Sequence, residues 1–202
     1  VKLAAGYAGL SDSFDGPTHH SIMDLAIMRA MPGMVVLAPA DSAELEKLLP
    51  QVAAWPGPVY FRISRAEVPV LFDDSHTPEI GKGVLLRNGQ DVTLVTTGTM
   101  LSRTLEAATH LAGRGIDARV IHLHTLKPLD VDLLVLAACE TGALVTVEEH
   151  SIIGGLGAAV AETVTTCAPA PVERVGLNDA FAETGPYDEL LDAHGLSVDA
   201  IV

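Results

Sequence analysis

Apolar positions along this chain recur in short bursts of two periods, one suited to strands and one to helices. Val1 to Ala5 reads as a strand. Ser21 to Met31 carries Ile22, Leu25, Ala26 and Met28 at helical spacing, and Pro32-Gly33 stops it. Met34-Val35-Val36-Leu37 is a short apolar strand that runs out at Pro39. Asp41-Ser42-Ala43-Glu44 has the form of a capping box, with Asp41 as the cap. The helix it opens runs to about Ala54, with Leu45, Leu48, Leu49 and Val52 on one face. Trp55-Pro56-Gly57-Pro58 breaks that helix, and Val59 to Ile63 is the next strand.

Ser64 to Pro78 has no periodicity and reads as a linker between two units. Beyond it, Gly83 to Arg87 and Val92 to Thr96 flank an Asn88-Gly89 turn and predict a hairpin. Helix Leu101–Ala112, strand Ala118–Leu123, helix Asp132–Ala138, strand Ala143–Val147, helix Leu156–Thr165 and strand Val172–Val175 complete the series. Strands alternating with helices of this length imply parallel sheets covered on both faces. The expected fold is therefore α/β, two doubly wound units with mostly parallel sheets, the first incomplete. The units are residues 1–75 and residues 80–202.

The 202 residues are 49% hydrophobic and 19% charged, enough to build a packed core. The net charge of −14 and the lack of any basic patch exclude nucleic acid and anionic membrane surfaces as partners. An anionic substrate would have to be met by a few local cations. Cys139 and Cys167 lie far apart in helical patterns and read as buried free thiols. With no signal peptide and no apolar run of spanning length, the expected setting is cytoplasmic. The chain opens without methionine, inside a strand-like run, and so reads as a piece of a longer one.

Candidate chemistry concentrates in Asp15-Gly16-Pro17-Thr18-His19-His20, which puts a carboxylate, a turn, a hydroxyl and two imidazoles just before a helix. Loops of this kind hold polar groups at the mouths of clefts; Thr18 also reads as that helix's cap. Arg65 follows a strand at its carboxyl end, where parallel sheets bind ligands. Its guanidinium suits a phosphate or carboxylate, or else a surface pair with Glu67. By alternation Arg62 leaves the strand on the side opposite Ile63.

Gly154-Gly155-Leu156-Gly157 has the look of a phosphate-cradling turn. It lacks the dinucleotide fingerprint, and Glu148 and Glu149 would repel a phosphate, so close helix–sheet packing accounts better for the glycines. Glu148-Glu149-His150 reads either as a functional group or as a satisfied internal network. His122 and His124 flank Leu123 with no third ligand at metal spacing, which argues against zinc.

Taken together, Gly9-Leu10-Ser11, Asp15-Gly16-Pro17-Thr18-His19, Asp24 to Met34, Pro39-Ala40-Asp41 and Pro58 to Arg65 resemble the later part of the transketolase pyrimidine-binding domain. Residues from about Gly81 resemble the transketolase C-terminal domain through Thr97-Gly98-Thr99, Leu126-Lys127-Pro128-Leu129-Asp130 and Val147-Glu148-Glu149-His150. The look is that of small, split transketolases, whose second subunit carries these two domains. The resemblance implies ketol transfer between sugar phosphates with thiamine diphosphate and Mg²⁺, bound mainly by residues outside this chain. It implies an N-terminal transketolase subunit or domain as partner, in a homodimer or heterotetramer. By motif, His19 would bond the donor's oxygens and assist proton transfer, Asp15 would hold a sugar hydroxyl, and Arg65 would bind the substrate phosphate.

Two positions depart from the family pattern. The histidine usual eight positions before the motif aspartate is Tyr7 here, and a phenol carries no positive charge at neutral pH. The usual glutamine after His19 is His20, which gains no role from the resemblance. The family's cofactor-activating glutamate would lie in a preceding segment of about 80–110 residues, so the chain alone is expected to be inactive. The rival readings are 1-deoxyxylulose-5-phosphate synthase, a 2-oxoacid dehydrogenase β subunit and a non-catalytic assembly or regulatory module. The dehydrogenase usually has a Gln-His-Ser type motif where this chain has Thr18-His19-His20.

Overall fold

Two sheets frame the computed structural model, which describes residues 1–202. The first has the strand order β1 (Lys2–Ala5), β3 (Val59–Arg62), β2 (Val35–Leu37), β7 (Thr125–Lys127). β1 and β2 run parallel to β3, and β7 runs antiparallel to β2. The second has the order β4 (Val84–Arg87), β6 (Ala118–His122), β5 (Val92–Thr96), β8 (Leu144–Ser151), β9 (Val172–Leu177). It is parallel except for β4, which is antiparallel to β6. The expected class, α/β with mostly parallel sheets, is what the chain adopts.

The expected hairpin does not form, because β6 lies between β4 and β5. The Asn88-Gly89 turn instead crosses the start of β6. Gln90 and Asp91 both donate their N–H to the Asp117 carbonyl at 3.0 Å, and a Cβ at Gly89 would collide with Ala118. A central, doubly covered place suits the apolar run Val92–Thr96 better than a hairpin edge does.

The helices are α1 (Asp24–Ala30), α2 (Ser42–Ala54), α3 (Leu101–Gly113), α4 (Val131–Thr141), α5 (Leu156–Cys167), α6 (Tyr187–Ala193) and α7 (Val198–Ile201). α1 starts later than its apolar pattern suggested. Its N-cap is Met23, with no side-chain cap, so Thr18 does not cap it. Asp41 does cap α2, accepting from the Glu44 N–H at 2.9 Å. Leu48 and Val52 face the core of that helix, but Leu49 points outward. Cys139 and Cys167 are unpaired and exposed rather than buried, because α4 and α5 turn them away from the sheet. No helix is long and apolar enough to cross a membrane.

Residues alternate across the second sheet. Leu94 and Val120 pack with α3, α6 and α7, whereas Val95 and Ile121 pack with α4 and α5. Both cores continue into the first half of the chain. Leu10, Ile22 and Ala40 join one, and Leu25, Met34, Val36 and Tyr60 join the other. The linker has no regular structure but is tied down. Asp41 accepts from the N–H groups of Leu71 and Phe72 at 2.6 and 3.0 Å, and Phe72 stacks on His76. Glu44 joins the halves, accepting from Ala40 N–H at 2.8 Å and bonding His76 Nε2 and His122 Nε2 at 3.1 and 2.8 Å.

Candidate active site

Because β1 and β3 are parallel, their carboxyl ends emerge side by side, and Tyr7 and Arg65 follow those two ends. The Ala8 N–H donates to the Ile63 carbonyl at 3.1 Å, keeping the segments together. Tyr7 sits in the left-handed region with φ 62°. That conformation costs a bulky residue about 1 kcal/mol or more.

The loop carrying Asp15 and His19 is closed at its base. Gly9 N–H donates to the Ser21 carbonyl at 2.9 Å, and Ser21 N–H returns a bond to Gly9 at 3.0 Å. Gly9 has φ 58°, and a Cβ there would collide with the Glu149 carboxylate. That carboxylate is what anchors the loop. Fully buried, it accepts from Leu10 N–H at 2.5 Å, Thr99 Oγ1 at 2.9 Å and Tyr187 Oη at 2.8 Å. The loop tip rests on the second half of the chain, where Gly185 N–H donates to the Ser13 carbonyl at 3.1 Å.

The four residues singled out from the sequence converge here. The Arg65 guanidinium lies 5.4 Å from the centre of the Tyr7 ring, a cation–π contact. Tyr7 and His19 meet edge-on with ring centres 6.4 Å apart. Arg65 Nη1 lies 3.5 Å from Asp15 Oδ2. The Thr18 hydroxyl is bonded to His19 Nδ1 at 2.9 Å, so it orients the imidazole instead of capping a helix.

Asp12 was not legible in the sequence. It is 3% exposed and forms an ion pair with Arg65, while its Oδ2 is buried without a partner. Arg65 pairs with Asp12 and Asp15, and no bond to Glu67 forms. One ligand atom each from Asp12, Asp15 and His19 lie within 4.8 Å of one another. Arg65 is the cation paired with the two aspartates. His20, just behind, has both ring nitrogens buried and unpartnered, and burial lowers its pKa. The site opens into a cavity of about 600 Å³ whose far wall is Pro186, Tyr187, Asp188 and Glu189, at the start of α6.

The other sequence candidates are structural. Glu148 occupies the start of α5, accepting from Leu156 and Gly157 N–H at 2.6 and 2.8 Å. Its carboxylate fills the place where a cradled phosphate would sit, and burial raises its pKa to about 7. Gly157 lets α5 pack closely, since a Cβ there would strike Arg174 and Thr146. Arg62 is buried away from the cavity on Asp24, and His150 lies beside them, its pKa lowered to about 4 by burial. His122 bonds Glu44.

Two family models match the sequence. Residues 1–70 match the transketolase pyrimidine binding domain, and residues 81–201 match the transketolase C-terminal domain. The chain belongs to the transketolase family. It is 45% identical over 204 residues to the 6-deoxy-6-sulfo-D-fructose transketolase subunit of Clostridium sp., covering 100% of this chain and 63% of that protein. It is 40% identical over 192 residues to the 1-deoxy-D-xylulose-5-phosphate synthase of Gloeobacter violaceus, covering 93% of this chain and 30% of that protein. Among solved structures, a split gene transketolase described as an inactive beta4 tetramer superposes with a TM-score of 0.93 at 46% identity. That match covers 100% of this chain and 64% of the other. The chain thus spans under two thirds of the transketolase relatives it matches.

Proposed function

We propose that this chain forms the sugar-facing wall of a thiamine diphosphate-dependent transketolase that moves a two-carbon ketol unit between sugars. In this reading residues 1–75 are the later part of the pyrimidine-binding domain and residues 80–202 the C-terminal domain. The observation that carries it is the clustering of Tyr7, Asp15, His19 and Arg65, with Asp15 and Arg65 lining one cavity. Thiamine diphosphate, held with Mg²⁺ mainly by an N-terminal transketolase partner, supplies the carbon nucleophile when bound. The start of α5 offers it no diphosphate site, because Glu148 takes those N–H groups.

His19 is the proton-handling group. Its Nδ1 is engaged by Thr18, which leaves Nε2 to meet the oxygens of the donor sugar. Asp15, exposed at the mouth, accepts from a sugar hydroxyl beside the reacting carbon. Tyr7 touches both His19 and Arg65 through its ring. The relative solved as an inactive beta4 tetramer supports the view that a subunit of this kind needs a partner to act.

The test is to co-purify the chain with the product of its neighbouring gene and to assay ketol transfer over a panel of free and phosphorylated ketoses with thiamine diphosphate. Transfer is expected, and His19→Ala is expected to lower kcat about 100-fold or more. A complex that binds thiamine diphosphate yet transfers nothing from any ketose refutes the reading. A second reading, 1-deoxy-D-xylulose-5-phosphate synthesis, is favoured by the identity to that enzyme. It requires that the complex release CO₂ when pyruvate and an aldose phosphate replace the ketoses.

A further inference from the structure

The cavity that holds Arg65 is acidic. Asp12, Asp15, Glu67, Asp188 and Glu189 line it, and Arg65 is the only lysine or arginine among the lining residues. Even that charge is answered within the chain. Arg65 is ion-paired with Asp12 and lies 3.5 Å from Asp15 Oδ2. Asp12 is not a chance surface neighbour, since only 3% of it is exposed. Its second oxygen, Oδ2, is buried with no partner. Buried acceptors without donors are rare in folded proteins; beside this one His20 also has both ring nitrogens buried and unpartnered, so Oδ2 faces the interior and not the cavity.

A terminal phosphate fits these groups poorly. It brings about −1.5 to −2 charges at neutral pH and three acceptor oxygens. It would have to displace Asp12 or Asp15 from Arg65 in a cavity lined by five carboxylates. A hydroxyl both donates and accepts. It can give its proton to either aspartate and accept from Arg65 without disturbing the pair. Tyr7, in contact with Arg65, adds no positive charge. We propose, on the transketolase reading above, that the sugar end seated against Arg65 is a free polyhydroxyl end without phosphate, and that Asp12 is the residue that sets this preference. On this proposal Arg65 would recognise a hydroxyl in place of the phosphate expected from the sequence.

The assay compares kcat/KM for free ketoses and their terminal phosphate esters of the same carbon skeleton, using the chain assembled with its diphosphate-binding partner. The wild type is expected to favour the free sugar by about tenfold or more, and Asp12→Ala to shift the ratio about tenfold toward the ester. A wild type that prefers the ester overturns the proposal. Should Asp12→Ala fail to fold, Glu67→Gln with Glu189→Gln, both at the exposed rim, is expected to move the ratio the same way by about two- to threefold. An unmoved ratio in that pair also counts against it.

Phosphorus NMR line broadening of inorganic phosphate, on the chain itself, reads the same charge selectivity without catalysis. No saturable binding is expected in the wild type, and binding is gained in Asp12→Ala. Saturable binding by the wild type that Arg65→Ala abolishes overturns the proposal whatever the activity. An assembly that transfers nothing while the chain still refuses phosphate defeats the transketolase reading and leaves the selectivity standing.

Discussion

Arg62→Met tests the idea that one buried charge pins the two halves of the chain together. Arg62 and Asp24 side chains are 4% and 7% exposed. The guanidinium bonds Asp24 through Nε at 2.7 Å and Nη2 at 3.2 Å. Nη2 also donates to the carbonyls of Ser21 at 3.0 Å and Glu149 at 3.1 Å. Burial alone would raise the pKa of Asp24, but its pairing with Arg62 outweighs burial and the net shift is downward. Removing the arginine leaves that carboxylate with Tyr60 Oη, 2.7 Å away, as its hydrogen-bond donor and takes a donor from the buried Glu149 carbonyl, while the Ser21 carbonyl keeps the Gly9 N–H. Breaking a buried pair from one side costs about 3–5 kcal/mol, a large part of the roughly 5–15 kcal/mol that stabilises a typical domain. Replacing both partners together, Arg62→Met with Asp24→Leu, is expected to cost about 1–2 kcal/mol, so the coupling energy should exceed about 2 kcal/mol. Urea denaturation followed by the single tryptophan, Trp55, and by far-ultraviolet dichroism measures both. A loss under about 1 kcal/mol for Arg62→Met at unchanged m, or strict additivity in the cycle, refutes the reasoning.

Three further outcomes follow from the same structure. Burial lowers the pKa of both His124 and His150 to about 4, so the folded state binds fewer protons than the unfolded one. Their contribution, about 3 kcal/mol each at most, should be complete above about pH 6.5 and lost between there and about pH 4, which melts at stepped pH will show. Burial would raise the pKa of Glu44, yet His122 brings it down to about 2, so a second loss should appear as pH falls from about 4.5 to 2. Asp41→Ala should cost about 2–3 kcal/mol by denaturant titration, because the α2 cap and the N–H groups of Leu71 and Phe72 lose their acceptor together. Gly9→Ala should cost about 2 kcal/mol or more, through its positive φ and the collision with Glu149; a change under about 0.5 kcal/mol would show that the loop gives way easily.

Much of the architecture was legible because period and burial agree. Val35–Leu37 and Val59–Phe61 are unbroken apolar runs, as interior parallel strands require, and both lie inside their sheet. What was not legible depends on distant pairing. β7 is three residues long and means nothing until β2 lies beside it. The Asn88-Gly89 turn is a sound local signal overruled by β6. α6 and α7 are too short for a periodicity to show. At the site, Asp15, His19 and Arg65 stood out through motif and strand-end position. Asp12 did not, since a lone aspartate in a polar loop reveals nothing until a guanidinium from 53 residues away closes on it. Glu149 looked like half of an acidic pair, and only the fold shows it holding the loop, Thr99 and Tyr187 at once.

The placement of β7 means that the boundary along the chain is not the boundary in space. Cutting the linker anywhere between residues 64 and 80 would sever the covalent connection but not the sheet, because Val36 and Leu37 still pair with Lys127 and Thr125. A nicked protein should therefore stay whole in gel filtration. Residues 1–75 expressed alone would instead carry β2 as a naked, fully apolar edge (Val35-Val36-Leu37), the kind of edge that recruits other strands. Any rearrangement that exchanges one half for that of a relative must carry the matching strand with it, or inherit an aggregating surface.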